Sequence, residues 1–320
     1  MPGKHADRQE VDKAFGTYRF GSRQMTGRFN ILRFVCVGSI NFDVIFQASR
    51  LPQEHEKLRV QDATLCCGGS AANTAYWLAR FGHNVSMVGC VGKDELGRSG
   101  IESLRIAGVD TSCIQMSNKA TTGVATVLVN SNSKRMITYA GANTELDLTT
   151  LDPSVFHKGV HIHLASADDR RVIPFLNAVR LHGVTVSCEF NGLQSEERAR
   201  YCDIAFMNHD ELRRWTTAWP PWNWWRSISS AWLVLTKGKE GAQAYCDNVT
   251  YQAAAVPTDV IDRTGGGDAF NAGFLSGIAK GASIENALSR GLWLASLVIR
   301  YPGSRPAELN DCMLRSMINS

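Results

Sequence analysis

The chain has 320 residues, of which 44% are hydrophobic and 20% charged, as is typical of a soluble globular protein with one large or two modest domains. Its net charge is +4 and it has no Lys/Arg run, which disfavours a nucleic-acid partner but is compatible with anionic small molecules. No apolar run approaches the roughly 20 residues that cross a bilayer, so we expect no membrane partner.

The nine cysteines lack C-x-x-C spacing, which disfavours a disulfide framework or a zinc site. We therefore expect a reducing, cytoplasmic compartment. Cys66 and Cys67 form the one close pair, and small residues beside a glycine turn are favoured there over a redox role.

The N-terminal segment, residues 1–29, is polar, mixes acids with bases and has no apolar core of a signal peptide. It is predicted to be a disordered tail, and a single domain is expected over residues 30–320. We hypothesise that Met25 is the natural start, because the first strand begins only near Asn30.

The first half of the chain predicts a strand over 31–37, an extended ribbon over 44–66 and a helix over 71–81. Asn41 and Asp43 follow the strand, at the position where α/β proteins place ligand groups; turn chemistry explains them equally well. Gly68 and Gly69 precede the helix, and Asn73 lies in its first turn. A plain helix start is the alternative interpretation of these glycines.

Further along, a strand over 84–91, a helix to about residue 107 and a hairpin of residues 121–129 and 136–139 are expected, ending at Asn143. From residue 160, strands over 161–165, 184–190, 204–207 and 232–235 alternate with helices. This order predicts an α/β fold, with a doubly wound, mostly parallel sheet, helices on both of its faces, and a second small sheet.

Two further features have competing interpretations. A tryptophan-rich stretch over 215–232 is interpreted as a proline-broken loop whose rings cover the core or a partner surface, in preference to stacking on a base. His161 and His163 share one side of a strand, but metal binding is disfavoured because no further ligands are visible nearby.

The stretch from Asp262 to Phe274 carries three consecutive glycines followed by an acid. The N–H groups of Gly265, Gly266 and Gly267 can close on an anion at the start of a helix. A carboxylate at such a site opposes phosphate binding, so Asp268 suggests a base that receives a proton during phosphoryl transfer. An ordinary glycine-rich helix start capped by Asp268 is the alternative.

Together with Gly68-Gly69 and Asn208-x-x-Glu211, this stretch resembles the PfkB family of ribokinase-like carbohydrate and nucleoside kinases, with five motifs in the family's order between residues 31 and 306. The resemblance implies that Asp268 is the catalytic base and that Gly265, Gly266 and Gly267 form its anion hole. It also implies that the acceptor lies beneath a lid made of residues 44–66 and 120–142. The implied acceptor-binding residues are Asn41, Asp43, Gly68, Gly69, Asn73 and Asn143.

The same resemblance implies ATP and Mg²⁺ as cofactors, and K⁺ as a further candidate. Asn208 and the turn containing Thr236, Gly238 and Gly241 would contact the nucleotide. Glu211 would hold Mg²⁺ through water, and Asp262 would help to bind a monovalent cation.

Two departures from the family pattern matter. Arg263 stands where the family usually has Thr or a similar small residue, and we hypothesise that it contacts phosphate or lessens dependence on a monovalent cation. The segment Glu189-Phe190-Asn191 lacks an Arg two residues further on, which disfavours an acidic sugar acceptor.

The expected activity is ATP-dependent phosphorylation of a hydroxymethyl group on a ribofuranosyl acceptor, either a nucleoside or ribose. A fructose-type or other sugar kinase and a non-catalytic sugar- or nucleotide-binding regulator with the same fold are the alternatives. A Rossmann dinucleotide enzyme is disfavoured, since the first strand is not followed by G-x-G-x-x-G. The lid could also pair with a second subunit to form a homodimer.

Overall fold

Two β-sheets organise the chain in the computed structural model, which describes residues 31–48, 50–129, 134–191, 195–217, 221–246, 248–310 and 313–314. The tail predicted for residues 1–29, and Met25 within it, lie outside the described residues.

The large sheet has nine strands in the order β13-β12-β11-β10-β9-β8-β1-β4-β5. Its strands are parallel from β5 to β11, and β12 and β13 are antiparallel. In chain order the strands are β1 (Arg33–Gly38), β4 (Val85–Gly92), β5 (Ile114–Ser117), β8 (Val160–Ala165), β9 (Thr185–Glu189), β10 (Ile204–Asn208), β11 (Trp232–Thr236), β12 (Ala242–Cys246) and β13 (Val249–Ala253).

The small sheet has four strands in the order β3-β2-β6-β7. They are β2 (Asn41–Gln47), β3 (Asp62–Gly68), β6 (Gly123–Val129) and β7 (Lys134–Tyr139). Strand β2 pairs with β3 in antiparallel and with β6 in parallel orientation, and β6 pairs with β7 in antiparallel orientation. The ribbon and hairpin predicted from the sequence therefore belong to one sheet.

Eight α-helices lie in the described part of the chain: α1 (Ser70–Arg80), α2 (Glu95–Ile106), α3 (Asp169–Arg180), α4 (Glu196–Ala199), α5 (His209–Trp215), α6 (Trp222–Ile228), α7 (Gly266–Ala279) and α8 (Ile284–Val298). None of these helices is long and apolar enough to cross a membrane.

The core forms a layer on each face of the large sheet. One layer contains apolar side chains of α1, α7 and α8, including Trp77, Phe274 and Leu288. The other contains side chains of α3, α5 and α6, including Leu176 and Trp225. Burial on both faces explains the nearly continuous apolar runs of the central strands, such as β1 and β4. The doubly wound arrangement is the one predicted from the sequence.

The structure corrects two local interpretations. Asn41 and Asp43 are not turn residues, because they lie at the start of β2 and pair with β3 and β6. The stretch after Pro221 is not a loop but helix α6, in which Trp225 is buried and its Nε1 donates to the Ala231 carbonyl oxygen at 2.8 Å. That burial confirms that a ring of this stretch covers the core.

Candidate active site

The site residues gather where the parallel strands of the large sheet end. Strand register places Asn208, the last residue of β10, directly beside Thr236, the last residue of β11. Glu189 ends β9, the next strand along, where it pairs with Phe206, two positions short of that edge. Carboxyl edges of parallel strands are where open α/β sheets bind ligands.

Helix α7 begins at the glycine stretch. Gly265 precedes it with a left-handed backbone (φ 75°), and a Cβ built on Gly265 would lie 2.3 Å from the Ser304 Cβ, so no other residue fits without a shift. A Cβ on Gly267 would meet no atom of the described chain within 4 Å. The first N–H groups of a helix lack i−4 partners. The Gly266 N–H donates to the Arg263 carbonyl oxygen at a long 3.3 Å, and α7 faces open space at Gly267.

Asp268 lies in the first turn of α7 and accepts a hydrogen bond from Asn73 Nδ2 at 2.7 Å. Burial raises the pKa of Asp268, while the hydrogen bond from Asn73 and the positive charges of Lys134 and Arg305 oppose that rise. The structure thus brings together two predicted residues that stand 195 positions apart in the sequence.

Arg305 orients the Asn73 amide, and the sequence interpretation missed it. Its Nε donates to Asn73 Oδ1 at 2.8 Å, and Ser304 Oγ donates to the same oxygen at 2.9 Å. With its oxygen held by two donors, the amide can only present its N–H group to Asp268. Arg305 also donates to the Gly68 carbonyl oxygen at 3.1 Å and lies over the Tyr76 ring.

Glu189 is a second acid near Asp268 that we did not single out from the sequence. It accepts a hydrogen bond from Asn271 Nδ2 at 2.7 Å. Burial raises the pKa of Glu189 well above its usual range, and the charges of Asp268 and Glu211 raise it further. The available signal was its place at the end of a predicted strand, the criterion that had drawn attention to Asn41 and Asp43.

Asn208 and Glu211 form a reciprocal cap at the start of α5. The Asn208 side chain accepts from the Glu211 N–H at 2.9 Å, and Glu211 Oε2 accepts from the Asn208 N–H at 2.7 Å. Burial raises the pKa of Glu211, and the charge of Asp268 adds to this effect. One carboxylate oxygen of Glu211 is therefore occupied by the cap, and the other has no hydrogen-bond partner among the described residues.

The predicted nucleotide turn closes directly after Thr236. The Lys237 N–H donates to the Gly241 carbonyl oxygen at 2.8 Å, and the Gly241 N–H donates to the Gly238 carbonyl oxygen at 3.1 Å. Strand β12 then returns alongside β11. The turn lies at the same carboxyl edge as Asn208.

Asn41 and Asn143 meet on the side of the small sheet. Asn143 Nδ2 donates to Asn41 Oδ1 at 2.8 Å, and Asn143 Oδ1 accepts from the Ile40 N–H at 2.9 Å. Gly69, whose φ is 93°, directly precedes α1 and follows Gly68, the last residue of β3.

Asp43 is buried against the last residue of β3. A Cβ on Gly68 would lie 2.2 Å from Asp43 Oδ2, so this glycine makes room for the carboxyl group. Burial raises the pKa of Asp43 to about 6, although the charge of Arg305 lowers it. Arg305 thus acts on Asp43, Gly68 and Asn73, three of the predicted acceptor-binding residues.

Asp262 braces the loop before α7. Its Oδ1 accepts from Thr264 N at 2.9 Å and from Thr264 Oγ1 at 2.7 Å, and its Oδ2 accepts from the Gly303 N–H at 2.9 Å. Neighbouring Arg263 is exposed, and its guanidinium makes no hydrogen bond or ion pair with the described residues. Its proposed action on phosphate or on a cation stays a prediction.

The two strand histidines are core residues. His161 bonds Thr185 Oγ1 and Ser187 Oγ, and His163 bonds the same Ser187 hydroxyl, each at 2.8 Å. Burial lowers the pKa of both rings to about 3, so both are neutral. Within the described ranges no group of His, Cys, Asp and Glu side chains forms a ready metal cage.

The cysteine pair does not have the character of a redox centre. Burial raises the pKa of Cys66 to about 12, which keeps it as the unreactive thiol. All eight cysteines of the described chain are free.

A nest of helix-start N–H groups, a carboxylate beside it and further acids at the carboxyl edge are typical of α/β enzymes that transfer phosphoryl groups. The chain belongs to the pfkB family of carbohydrate kinases, whose family model matches residues 32–311. The family predicted from the sequence is thereby confirmed, and with it the ATP-dependent sugar or nucleoside kinase class.

Among known proteins, an ATP-dependent ribose-1-phosphate kinase of Halopiger xanaduensis is 26% identical over 289 residues, covering 88% of this chain and 97% of the relative. A nucleoside kinase of Methanothermobacter thermautotrophicus is 26% identical over 280 residues, covering 85% and 90%. The structure of Arabidopsis thaliana ribokinase complexed with ribose and ATP has a TM-score of 0.78 at 24% identity, covering 91% and 99%. This structural likeness confirms the predicted fold.

Proposed function

We propose that the chain transfers the γ-phosphoryl group of ATP to a hydroxymethyl group of a ribofuranosyl acceptor, with Asp268 as the base. The observation that carries this proposal is the placement of Asp268, fixed by Asn73, next to the N–H groups that open α7. The names of the relatives add support, since ribose-1-phosphate, ribose and nucleosides all contain a ribosyl group.

In this mechanism Asp268 accepts the hydroxyl proton while the acceptor oxygen forms a bond to the γ-phosphorus and the bond to the ADP leaving oxygen breaks. The N–H groups of Gly266 and Gly267 would stabilise the charge of the migrating phosphoryl group. Burial strengthens both effects, because it raises the basicity of Asp268 and lowers the local dielectric. Thr236, Gly238, Gly241 and Asn208 would contact the nucleotide.

Mg²⁺ fits the acidic residues near Asp268. The charge of Asp268 raises the pKa of both Glu189 and Glu211, and the charge of Glu211 raises that of Glu189. A divalent cation would relieve this repulsion, and carboxylate oxygens are the ligands that Mg²⁺ prefers. Since the described residues form no ready cage, we propose that these two acids hold it largely through water. When bound, the ion would neutralise phosphate charge.

We further propose that the small sheet, with the segments 44–66 and 120–142, is a lid over the acceptor. Asn41 and Asp43 of β2 and Gly68 of β3 belong to this sheet, and Asn41 pairs with Gly68. Gly68 accepts a hydrogen bond from Arg305, which also donates to Asn73. The acceptor would contact Asn41, Asp43, Gly68, Gly69, Asn73 and Asn143.

K⁺ is a candidate activator at the loop of Asp262. The carboxylate of Asp262 is buried and has no cation within ion-pair distance in the described chain, but it already accepts three hydrogen bonds. The exposed guanidinium of Arg263 is adjacent, so we propose weak or no dependence on K⁺.

The test is ADP release from purified protein against ribose, ribose 1-phosphate, nucleosides and fructose, with and without K⁺. We expect turnover with a ribosyl compound, and a loss of at least about 100-fold in kcat for Asp268→Asn with nearly unchanged ATP binding. Faster turnover of fructose than of any ribosyl compound would show that the acceptor is a fructose-type sugar. Full activity of Asp268→Asn would refute the role of Asp268 as the base. ATP binding by the wild type without turnover of any acceptor would favour a non-catalytic regulator.

A homodimer is proposed through the outer face of the small sheet. Register aligns Leu65, Val44, Thr126 and Ile137 across four strands. Leu65 and Ile137 are 64% and 71% exposed, which leaves apolar surface at both edge strands.

A further inference from the structure

Lys134 connects the small sheet to the start of α7. It is the first residue of β7, and its Nζ donates to Thr264 Oγ1 at 3.0 Å. Alternation along β7 puts Lys134 on the same face as Met136, which pairs with the buried Val127 of β6. Register from β6 to β2 puts Asp43 on this face as well. This is the inner face, and Lys134 is the basic residue that the small sheet directs toward the glycine stretch.

The Lys134 ammonium group makes fewer hydrogen bonds than its three N–H donors allow. The hydroxyl of Thr264 already donates to Asp262, so it can only accept from Lys134. Among the described residues Lys134 has this one hydrogen bond and no carboxylate oxygen within 4.0 Å. A lysine carries three N–H donors, so two of them remain for a ligand.

The surroundings of this ammonium favour an anion with several oxygens. Thr264 directly precedes Gly265, so Lys134 lies at the entrance to the N–H groups of Gly266 and Gly267, beside open space. Burial of its end lowers the pKa of Lys134, and the negative charges of Asp262, Asp268 and Asp43, at a longer distance, oppose that fall. A point charge with free donors beside a helix start suits a phosphate group.

We propose that Lys134 is a phosphate ligand which the small sheet adds to the N–H groups at the start of α7. The inference rests on the proposed function. The phosphate is either the γ-phosphoryl group in transfer or a phosphate carried by the acceptor. In both cases Lys134, as part of the lid over the acceptor, also neutralises negative charge at the reacting groups. Closure of the lid over the acceptor and phosphoryl transfer would therefore be coupled.

The test compares Lys134→Met and Lys134→Gln with Lys134→Arg, which keeps the charge, and with Arg135→Met as matched control. Arg135 is the next residue of β7 and points to the opposite face. Kinetics are measured with ATP and the neutral acceptors ribose and adenosine, and with ribose 1-phosphate. Binding of inorganic pyrophosphate to each protein is measured by calorimetry, so that the proposal remains testable if no acceptor is turned over.

Loss of a charged hydrogen bond corresponds to about 10- to 100-fold. A fall of that size in kcat with every acceptor in Lys134→Met, partly restored in Lys134→Arg, assigns the lysine to the transferred phosphoryl group. A rise in KM confined to ribose 1-phosphate assigns it to the acceptor.

Two outcomes overturn the proposal. One is that Lys134→Met and Lys134→Gln match Arg135→Met in kinetics and in pyrophosphate binding. The other is a lower melting temperature of these Lys134 variants with unchanged kinetics and binding, which would show that Lys134 only stabilises the position of the small sheet. An inactive wild type that still binds pyrophosphate through Lys134 would refute the proposed function but not the phosphate ligand.

Discussion

Arg305 shows what a single residue contributes to this site. Its guanidinium donates to Asn73 Oδ1, Gly68 O and Ser103 Oγ. Because each contact fixes a different segment, the side chain joins the end of β3 to the helices that follow it. It stands 232 positions from Asn73 in the sequence, in no recognisable motif, so local pattern could not reveal it.

We expect Arg305→Met to lower kcat/KM by about 10- to 100-fold, because Asn73 would lose the donor that fixes its amide and Asp268 would lose a nearby positive charge. A positioning role predicts a loss mainly in kcat and partial recovery in Arg305→Lys. The measurement is steady-state kinetics, with Arg98→Met of the exposed face of α2 as control. Equal activity of the two methionine variants would contradict the role assigned to Arg305.

Asp43 makes stability depend on pH. Its pKa is raised by burial to about 6, so between about pH 4 and pH 6 the folded chain holds a proton that the unfolded chain releases. The contribution of Asp43 to stability is therefore greatest at low pH and is lost as the pH rises through about 6. A shift of two units corresponds to about 3 kcal/mol as an upper estimate.

Asp43→Asn removes this titration. We expect the free energy of unfolding of the variant, relative to that of wild type, to increase by up to about 3 kcal/mol from pH 4 to pH 7, because only wild type loses stability over this range. His161 and His163 titrate in the opposite sense, but they are present in both proteins and cancel in the difference. Urea unfolding of both proteins at four pH values measures this difference in the free energy of unfolding. A difference that stays constant with pH would show that burial does not raise the pKa of Asp43.

At the scale of elements, the start of α7 was the most predictable part of the site. Three glycines before an acid are a local signal, and the backbone at Gly265 is the left-handed conformation that glycine favours. The packing that makes Gly265 indispensable is not local, since it comes from Ser304.

Gly265→Ala is expected to cost more stability than Gly82→Ala. Both positions have positive φ (75° and 81°), so both alanines suffer the left-handed penalty of about 1–2 kcal/mol. Only at Gly265 does the new Cβ also meet a side chain, at 2.3 Å, while Gly82 has no atom within 4 Å. Urea unfolding of the two variants tests this, and equal losses would show that the loop of Ser304 yields easily.

Elements that depend on distant partners were harder to predict. Strand β2 follows β1 after two residues, and turn chemistry therefore explained Asn41 and Asp43 as well as a ligand-binding role did. They form a strand because β3 and β6 pair with them. Helix α6 has a proline before it and four aromatic or branched residues in seven, yet it is helical where Trp225 packs into the core. Strand β12 and helix α8 carried no motif and were not identified.

At the scale of the whole molecule, the doubly wound sheet could be predicted because strand and helix patterns alternate after residue 160. That fold explains why the predicted residues converge, since parallel strands end at one edge. It does not specify which side chains complete the site. Glu189, Lys134 and Arg305 come from three separate segments, and their meeting depends on packing that a sequence pattern does not encode.

The same sheet geometry leads to a prediction about assembly. Ile137 lies on the outer face of β7, opposite the side that carries Lys134, so replacing it should spare the inner face. We expect the wild type to sediment as a dimer and Ile137→Glu as a monomer, because the charge would be buried unpaired in the interface. Leu181→Glu, at an 80% exposed position after α3, is the matched control and should remain dimeric. Analytical ultracentrifugation over a range of concentrations measures the mass; a monomeric wild type, or a dimer that survives Ile137→Glu, would exclude this face as the interface.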